Sequence, residues 1–258
     1  MKVRANYSYH DLEAALSEIG VAKGDNIFIH SNIGFFGRME GVLTADEMCE
    51  KYIAALKEIV GVAGTIVFPT FSYSFCHGEK YNPLTTKSDC GMLADYSHIK
   101  SDFVRSLDPN FSISVWGKNT ELYIKNPPAE SFGKNSFWER WLKTGGRLVC
   151  LNFDCGSTFI HYIERFYSVP YRYNKAFNGI IEMNGELKRD YAVHYVHDGG
   201  DDTPCMDRLN EICRENNIVK TACLGKGTLL SIDINEYFDL ITKTLKREPR
   251  FLTVGGQL

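Results

Sequence analysis

The sequence predicts an α/β protein: a mixed sheet flanked by helices on both faces, with a C-terminal extension that contains a β-hairpin. Two observations predict this class. In the first two thirds of the 258 residues, short apolar and β-branched runs alternate with stretches of helical periodicity. After about residue 175, two alternating runs flank an Asn-Gly pair, which is typical of a tight hairpin. We expect a single domain with its core in residues 1–175 and 218–258, and a hairpin-and-helix subdomain in residues 176–217.

The first two helices are marked by their capping residues. Ser8 with Asp11 three positions later predicts a helix that ends near Gly20. Thr44 with Glu47 predicts a second helix, which continues with apolar residues at helical spacing.

Three short runs are predicted to be buried strands: residues 26–30 (NIFIH), 65–68 (TIVF) and 147–153 (RLVCLNF). After the third, Gly156-Ser157-Thr158 opens a helix through Tyr167. Residues 69–90 hold no periodic element, and an ordered loop of that length is usually functional.

The last third predicts a hairpin, two helices and two further strands. Runs at residues 179–183 and 186–196 flank a type I′ turn at Asn184-Gly185. A helix starts at Asp202 or Thr203 and ends near residue 216, and a glycine turn at residues 225–227 then joins two strands. Asp233 with Glu236 caps the last helix, which runs to about residue 246.

Composition excludes several classes of protein. Lys and Arg total 29 against 32 Asp and Glu, and this balance lacks the basic excess of a nucleic-acid binder. No run approaches the roughly 18 apolar residues of a membrane span, and the N-terminus has no signal-peptide pattern. We therefore expect a cytoplasmic protein whose eight cysteines are reduced thiols, with no nucleic-acid or membrane partner.

Polar residues follow three predicted strands: residues 30–32, 69–72 and 154–158, the last leading to His161. Ligands of open α/β sheets bind outside the carboxyl ends of the strands. No P-loop or G-x-S-x-G motif is present. His161 lies about one turn into its helix with Glu164 on the same face, which suits a general base.

Other interpretations of these residues stay open. His161 could be a core histidine, while Ser157 and Thr158 could either stabilise an oxyanion or simply cap the helix. Cys155 near the helix start is a competing nucleophile, or a small buried hydrophobe. His194 and His197 suggest a metal site only weakly, because these positions face opposite sides of a strand.

Five segments, in order, resemble the aminoglycoside 3-N-acetyltransferase family over roughly residues 5–175. They are residues 29–33 (IHSNI), 64–72 (GTIVFPTFS), 91–96 (GMLADY), 104–117 (VRSLDPNFSISVWG) and 157–164 (STFIHYIE). The resemblance implies transfer of an acyl group from acyl-coenzyme A, acetyl or a short hydroxyacyl, to a primary amine without a metal. The phosphate loop of the larger N-acetyltransferase superfamily is absent, because Ala222 stands where Gln or Arg is needed.

The same resemblance implies roles for particular residues. His161 would be the general base, with Ser157 and Thr158 beside it, and Asp95 stands where the family usually has Glu. The coenzyme channel would be lined by residues near the strand ends: His30, Ser31, Asn32, Ile33, Thr70, Phe71, Arg105, Ser106 and Ser112. Arg105 could equally be a surface charge. The shorter Asp95 also leaves open a binding module that has lost activity.

For the acceptor we favour a nucleotide-linked amino-deoxy sugar of surface-polysaccharide synthesis, with an aminoglycoside as the alternative. A polycation site would gather carboxylates, and only Asp198, Asp201 and Asp202 cluster. Aromatic stretches at residues 137–141 and 171–173 suit a nucleotide base, or core packing. A homo-oligomer is a further expectation that the sequence leaves undecided.

Overall fold

The structure is a computed structural model that describes residues 4–199 and 204–256. Its helices are α1 (Tyr9–Glu18), α2 (Ala45–Val60), α3 (Met92–Ile99), α4 (Thr120–Ile124), α5 (Phe137–Thr144), α6 (Phe159–Tyr167), α7 (Asp207–Glu215) and α8 (Ile234–Arg247). Its strands are β1 (Asn26–Ser31), β2 (Thr65–Pro69), β3 (Val104–Arg105), β4 (Ile113–Gly117), β5 (Arg147–Leu151), β6 (Arg172–Met183), β7 (Glu186–His197), β8 (Val219–Leu224) and β9 (Gly227–Asp233).

Seven strands form one mixed sheet in the order β3-β4-β2-β1-β5-β9-β8. The central strand β1 is parallel to β2 and β5, whereas β4 and β9 run antiparallel to their neighbours. This confirms the predicted fold class. The parallel centre matters for function because the carboxyl ends of β1, β2 and β5 meet at one edge of the sheet.

The sheet separates two hydrophobic cores. On β1, Phe28 packs on one face against Trp138 and Trp141 of α5, while Ile27 and Ile29 belong to the cluster under α1 and α2. This alternation follows from the two-residue period of a strand. Both tryptophans of α5 are fully buried, so the possibility that they stack on a nucleotide base is wrong.

The predicted helix caps form as the sequence indicates. Ser8 and Thr44 each complete a capping box with the acid three residues later, and Asp233 accepts from the first backbone amides of α8. Helix α6 ends at Tyr167, as predicted. Asp202 and Thr203 lie outside the described residues, but residues 204–206 are not helical, so α7 starts at Asp207, later than predicted.

The hairpin β6–β7 forms a separate two-stranded sheet and is longer than predicted on its N-terminal side. Asn184 and Gly185 both have positive φ, as a type I′ turn requires. The hairpin packs through Ala192 against Phe75 and Tyr81 of the loop that follows β2. Of the predicted residues 69–90, Pro69 still belongs to β2, and residues 70–90 hold neither helix nor regular strand, as predicted. The division into core and subdomain stays a prediction.

The parts that sequence patterns left unassigned are the short strands β3 and β4 and the helices α3, α4 and α5. None of the helices within residues 4–199 and 204–256 has both the length and the apolar character that crossing a bilayer requires.

Candidate active site

The carboxyl ends of the three parallel strands converge as predicted. The Asn32 amide donates to the Leu151 carbonyl at 2.8 Å, which joins the ends of β1 and β5. Seven residues separate the end of β5 from the start of α6, and α6 carries His161 in its first turn. The tertiary fold therefore delivers His161 to the sheet edge where ligands of α/β proteins collect.

His161 is held by a carboxylate from its own helix. His161 Nδ1 lies 2.6 Å from Glu164 Oε2, and Glu164 is fully buried. An ionised carboxylate only accepts hydrogen bonds, so the imidazole proton lies on Nδ1 and the lone pair lies on Nε2. The His161 side chain is 20% exposed, which leaves Nε2 able to meet a substrate. This arrangement is that of a general base with an orienting acid.

Two further side chains keep Glu164 ionised. Tyr171 donates a hydrogen bond to Glu164 Oε1 at 3.0 Å. Arg172 Nε lies 2.8 Å from Glu164 Oε2 and forms an ion pair with it, although the angle is unsuitable for a hydrogen bond. Burial alone would raise the pKa of Glu164, but the hydrogen bond from His161 and the charges of His161 and Arg172 hold that pKa below its ordinary value. The sequence indicated Glu164 only by its three-residue spacing from His161, and it did not indicate that Tyr171 and Arg172 contact Glu164.

Ser157 connects the helix start to β1. Its hydroxyl oxygen accepts from the Phe159 amide at 3.3 Å and lies 3.2 Å from His30 Nε2. The Ser157 side chain therefore bonds the first backbone amide of α6, whereas the Thr158 side chain makes no capping hydrogen bond. The assignment of Ser157 and Thr158 to the catalytic step stays a prediction, and the Ser157 hydroxyl already has two partners.

Four of the residues predicted for the coenzyme channel form one buried cluster. Arg105 Nε donates to Ser112 Oγ at 3.0 Å, and the guanidinium also donates to the carbonyls of Thr70 and Thr86. Ser106 Oγ accepts from the Ile113 amide at 3.0 Å. Arg105 is only 7% exposed, so its interpretation as a surface charge is wrong. It cross-links the loop after β2 to β3 and β4.

The other predicted channel residues differ in exposure. Asn32 is exposed and Ser31 half-buried at the end of β1, whereas Ile33 is buried beneath them. Phe71 is buried against Phe111, 5.3 Å between ring centroids. Asn32 and Ser31 therefore present polar atoms to a ligand at this edge, beside the half-buried His30, and the contacts of all nine residues with coenzyme stay predictions.

Asp95 lies in α3, and its carboxylate accepts from the Ser88 amide at 2.7 Å. In the part of the chain that the structure describes, the acid bonded to His161 is Glu164, and no hydrogen bond joins Asp95 to His161. Asp95 fixes the end of the loop that follows β2. Its catalytic role stays a prediction.

Cys155 is fully buried, with its amide bonded to Asn210 and its carbonyl to the hydroxyl of Tyr237. A hydrogen bond with Cys213 lowers the pKa of the Cys155 thiol, and burial opposes this. Because the sulfur is enclosed, a thioester cannot reach it without opening α7.

Cys155→Ala should therefore retain kcat within threefold of wild type, since the substitution removes no group that meets a substrate. Mass spectrometry of the wild-type protein mixed with acetyl-CoA alone should show no acyl adduct. An adduct at Cys155, together with loss of activity in the variant, would establish covalent catalysis instead.

Stability should fall as the pH drops from 6.5 toward 4. Burial lowers the pKa of His30 to about 4, and burial with the charges of His161 and Arg172 lowers the pKa of His194 to about 4. The unfolded chain takes up these protons near pH 6.5, whereas the folded chain does so only near pH 4. Each histidine therefore lowers the free energy of unfolding by up to about 3 kcal/mol over this range.

Thermal unfolding midpoints measured between pH 6.5 and 5 test this, since few carboxylates titrate there. His30→Gln should flatten the decline, whereas His10→Gln, whose ring is 90% exposed, should leave it unchanged. Equal slopes for all three proteins would contradict the assignment.

Two grooves of about 420 and 550 Å³ border the hairpin and the β3 edge, and His161 lines neither. His197 faces Tyr171, while His194 faces Phe111. No group of three His, Cys, Asp or Glu side chains within residues 4–199 and 204–256 is arranged to hold a metal ion. The candidate site is therefore defined by the chemistry around His161 rather than by cavity volume.

Comparison with known proteins shows the family of this chain. A sequence profile of the family described as aminoglycoside 3-N-acetyltransferase matches residues 28–246. The aminoglycoside N(3)-acetyltransferase III of Acinetobacter baumannii is 24% identical over 206 residues, which cover 72% of this chain and 70% of that protein.

Solved structures share the fold. AAC-IIIb in a binary complex with CoASH aligns with a TM-score of 0.79 at 19% identity, over 93% of this chain and 97% of that one. A histidine-to-alanine variant of AAC(3)-IVa in complex with apramycin aligns with a TM-score of 0.77 at 20% identity, over 96% of each chain. With the profile matching most of its length, this chain belongs to the aminoglycoside 3-N-acetyltransferase family.

Proposed function

We propose that the protein transfers an acetyl group from acetyl-CoA to a primary amine of an aminoglycoside, with His161 as the general base. The observation that carries the proposal is the His161–Glu164 pair, in which a buried carboxylate fixes the tautomer and leaves Nε2 free. Membership of the family supplies the reaction class.

The chemistry needs one proton to move at the right moment. An aliphatic amine is largely ammonium near pH 7 and cannot attack a thioester until it loses a proton. That first proton leaves to solvent, and His161 Nε2 accepts a second proton from the nitrogen as the neutral amine attacks the carbonyl carbon, while Glu164 stabilises the imidazolium that forms. When the carbon–sulfur bond breaks, the coenzyme thiolate takes the proton. A positioned base contributes typically ~10²–10⁴-fold to such a step.

The acceptor differs from the one that the sequence favoured. Nothing supports the nucleotide-linked amino sugar: the tryptophans proposed to stack on its base are buried, and the family and the curated relative are named for aminoglycosides. The aminoglycoside alternative is therefore preferred.

Coenzyme A binding fits the polar end of β1. Exposed Asn32 and half-buried Ser31 lie at the sheet edge that carries the start of α6. The buried cluster around Arg105 shapes the loop beside them, because its donors are already bonded to backbone carbonyls and Ser112.

Release of free thiol from acetyl-CoA, measured across a panel of aminoglycosides and nucleotide-linked amino sugars, tests the proposal. We expect turnover with at least one aminoglycoside at a kcat/KM at least a hundredfold above that of any nucleotide sugar. The opposite preference would overturn the acceptor class. Absence of turnover with every amine would favour a binding module that has lost activity, the alternative that Asp95 in place of the family's Glu left open.

A further inference from the structure

A second imidazole lies near the proposed base. His194 of β7 is half-buried, and its ring centroid is 4.6 Å from that of Phe111 and 6.2 Å from that of Phe132. His161 contacts the same Phe132 ring at 5.5 Å. The hairpin and α6 thus bring two imidazoles against one aromatic ring, although they are 33 residues apart in the chain.

The thiol of Cys76 lies against one of the two ring nitrogens of His194. Cys76 Sγ lies 3.8 Å from His194 Nδ1. Burial raises the pKa of Cys76 to about 11, and the pKa of His194 is lowered to about 4 chiefly by burial, so near pH 7 a thiol faces a neutral ring. A thiol in this position can donate to Nδ1, and we assign the tautomer that this bond selects, with the ring proton on Nε2. Nε2 has no hydrogen-bond partner among the residues that the structure describes.

The loop that carries Cys76 is held in an unusual conformation. Tyr73 has φ of 49°, in the left-handed region that a bulky residue rarely adopts. Its ring contacts Phe111 at 5.2 Å and His194 at 6.4 Å. Strained backbone of this kind persists where the surrounding structure requires it and clusters at functional sites. Here the strained residue places the Tyr73 ring beside the His194 ring.

The reaction needs a donor for the oxygen of the thioester carbonyl, which becomes negative as the amine attacks. Preorganised donors about 3 Å from that oxygen are among the largest contributions to acyl transfer. A neutral imidazole can polarise a carbonyl, as a neutral histidine does in triosephosphate isomerase, and here it would not repel a cationic acceptor. The Ser157 hydroxyl oxygen, by contrast, accepts from the Phe159 amide and lies 3.2 Å from His30 Nε2.

We propose that His194 is a catalytic residue whose Nε2–H donates to the thioester oxygen in the tetrahedral intermediate, and that Cys76 is a positioning residue that holds the required tautomer. The inference rests on the proposed function. The nitrogen–carbon bond forms as His161 takes the amine proton, and the carbonyl electron pair moves onto the oxygen facing His194. The pair returns as the carbon–sulfur bond breaks, and the sulfur leaves with the proton from His161. His194 keeps its own proton throughout.

Two substitutions separate catalysis from packing. His194→Phe keeps an aromatic ring against Phe111 and Phe132 but has no N–H, whereas His194→Gln places an amide N–H near the position of Nε2. We expect Phe to lower kcat about a hundredfold with KM for acetyl-CoA within threefold of wild type, and Gln to stay within tenfold of wild type. A purely structural role predicts the reverse order, because Phe preserves the packing and Gln does not.

The tautomer is tested by nitrogen-15 NMR of the histidine rings at pH 7. Wild-type His194 should carry its proton on Nε2, and Cys76→Ala should show a mixture of tautomers and a kcat lowered three- to tenfold. Cys223→Ala, which removes an exposed thiol, is the control and should match wild type.

Several outcomes would overturn the inference. If the wild-type protein turns over and His194→Phe has the same rate, the role of His194 is contradicted and the proposed function still holds. Absence of wild-type turnover with every amine would remove both. If His194→Phe fails to fold, as judged by circular dichroism, the NMR result decides: a proton on Nδ1 in the wild-type protein contradicts the donor role.

Discussion

Replacing His161 with Ala should lower kcat at least a hundredfold while leaving the affinity for acetyl-CoA near that of wild type. The imidazole is placed to take the amine proton in the step that forms the new bond, and a positioned base is worth typically ~10²–10⁴-fold, or roughly 3–5 kcal/mol of barrier. The side chain is held by the 2.6 Å bond to Glu164, so the effect is expected in kcat rather than in coenzyme binding. Steady-state kinetics together with a direct binding measurement for acetyl-CoA would check both parts.

The chain offers a matched control for this experiment. His10 and Glu13 of α1 have the same three-residue spacing, but His10 is 90% exposed and the pair lies 3.8 Å apart. His10→Ala should therefore leave kcat unchanged. Activity of His161→Ala close to that of wild type would remove the proposed mechanism, and equal losses in both variants would point to a defect in folding.

Replacing Glu164 with Gln should lower kcat by about 10²–10⁴-fold, because the orientation and tautomer of His161 depend on a carboxylate. An amide can donate to His161 Nδ1, which moves the ring proton to Nε2 and removes the lone pair that the reaction needs. Steady-state rates measured beside the circular dichroism spectrum would separate this loss from unfolding.

Glu164→Leu should in addition lower the free energy of unfolding by about 3–5 kcal/mol, since it leaves the buried charge of Arg172 without its partner. Equilibrium unfolding in denaturant would measure this loss of stability. Glu58→Gln is the control: Glu58 also accepts from a tyrosine hydroxyl at 3.0 Å, but at the surface, and its loss should cost less than about 1 kcal/mol. Similar costs at both positions would contradict the role assigned to burial.

Local patterns in the sequence predicted elements well wherever the signal lies within a few residues. The capping boxes at Ser8 and Thr44 and the Asn184-Gly185 turn all depend on bonds or dihedral angles inside one turn of chain, and each forms as predicted. Strand β3 was not assigned because two residues show no period, whereas β4 was missed although residues 111–115 alternate apolar and serine side chains.

Residues outside such patterns needed the structure. Arg105 has the same local sequence whether it is exposed or buried, and only the packing of the loop after β2 onto β3 shows that it bonds backbone carbonyls. Asp95 stands at a family position, yet its carboxylate bonds the Ser88 amide. The preference for a nucleotide-linked acceptor rested partly on aromatic stretches, and a run of aromatic letters does not reveal that Trp138 and Trp141 are buried.

The sequence by itself determined the α/β class, the convergence of three strand ends and the place of His161 in the first turn of α6, because each follows from short-range periodicity and capping. Only the tertiary structure decided what surrounds that imidazole. Arg172 reaches Glu164 across the end of α6, and His194 arrives from a hairpin strand 33 residues further along. Such contacts depend on how separate elements pack, and packing between distant segments leaves no periodic trace in the chain.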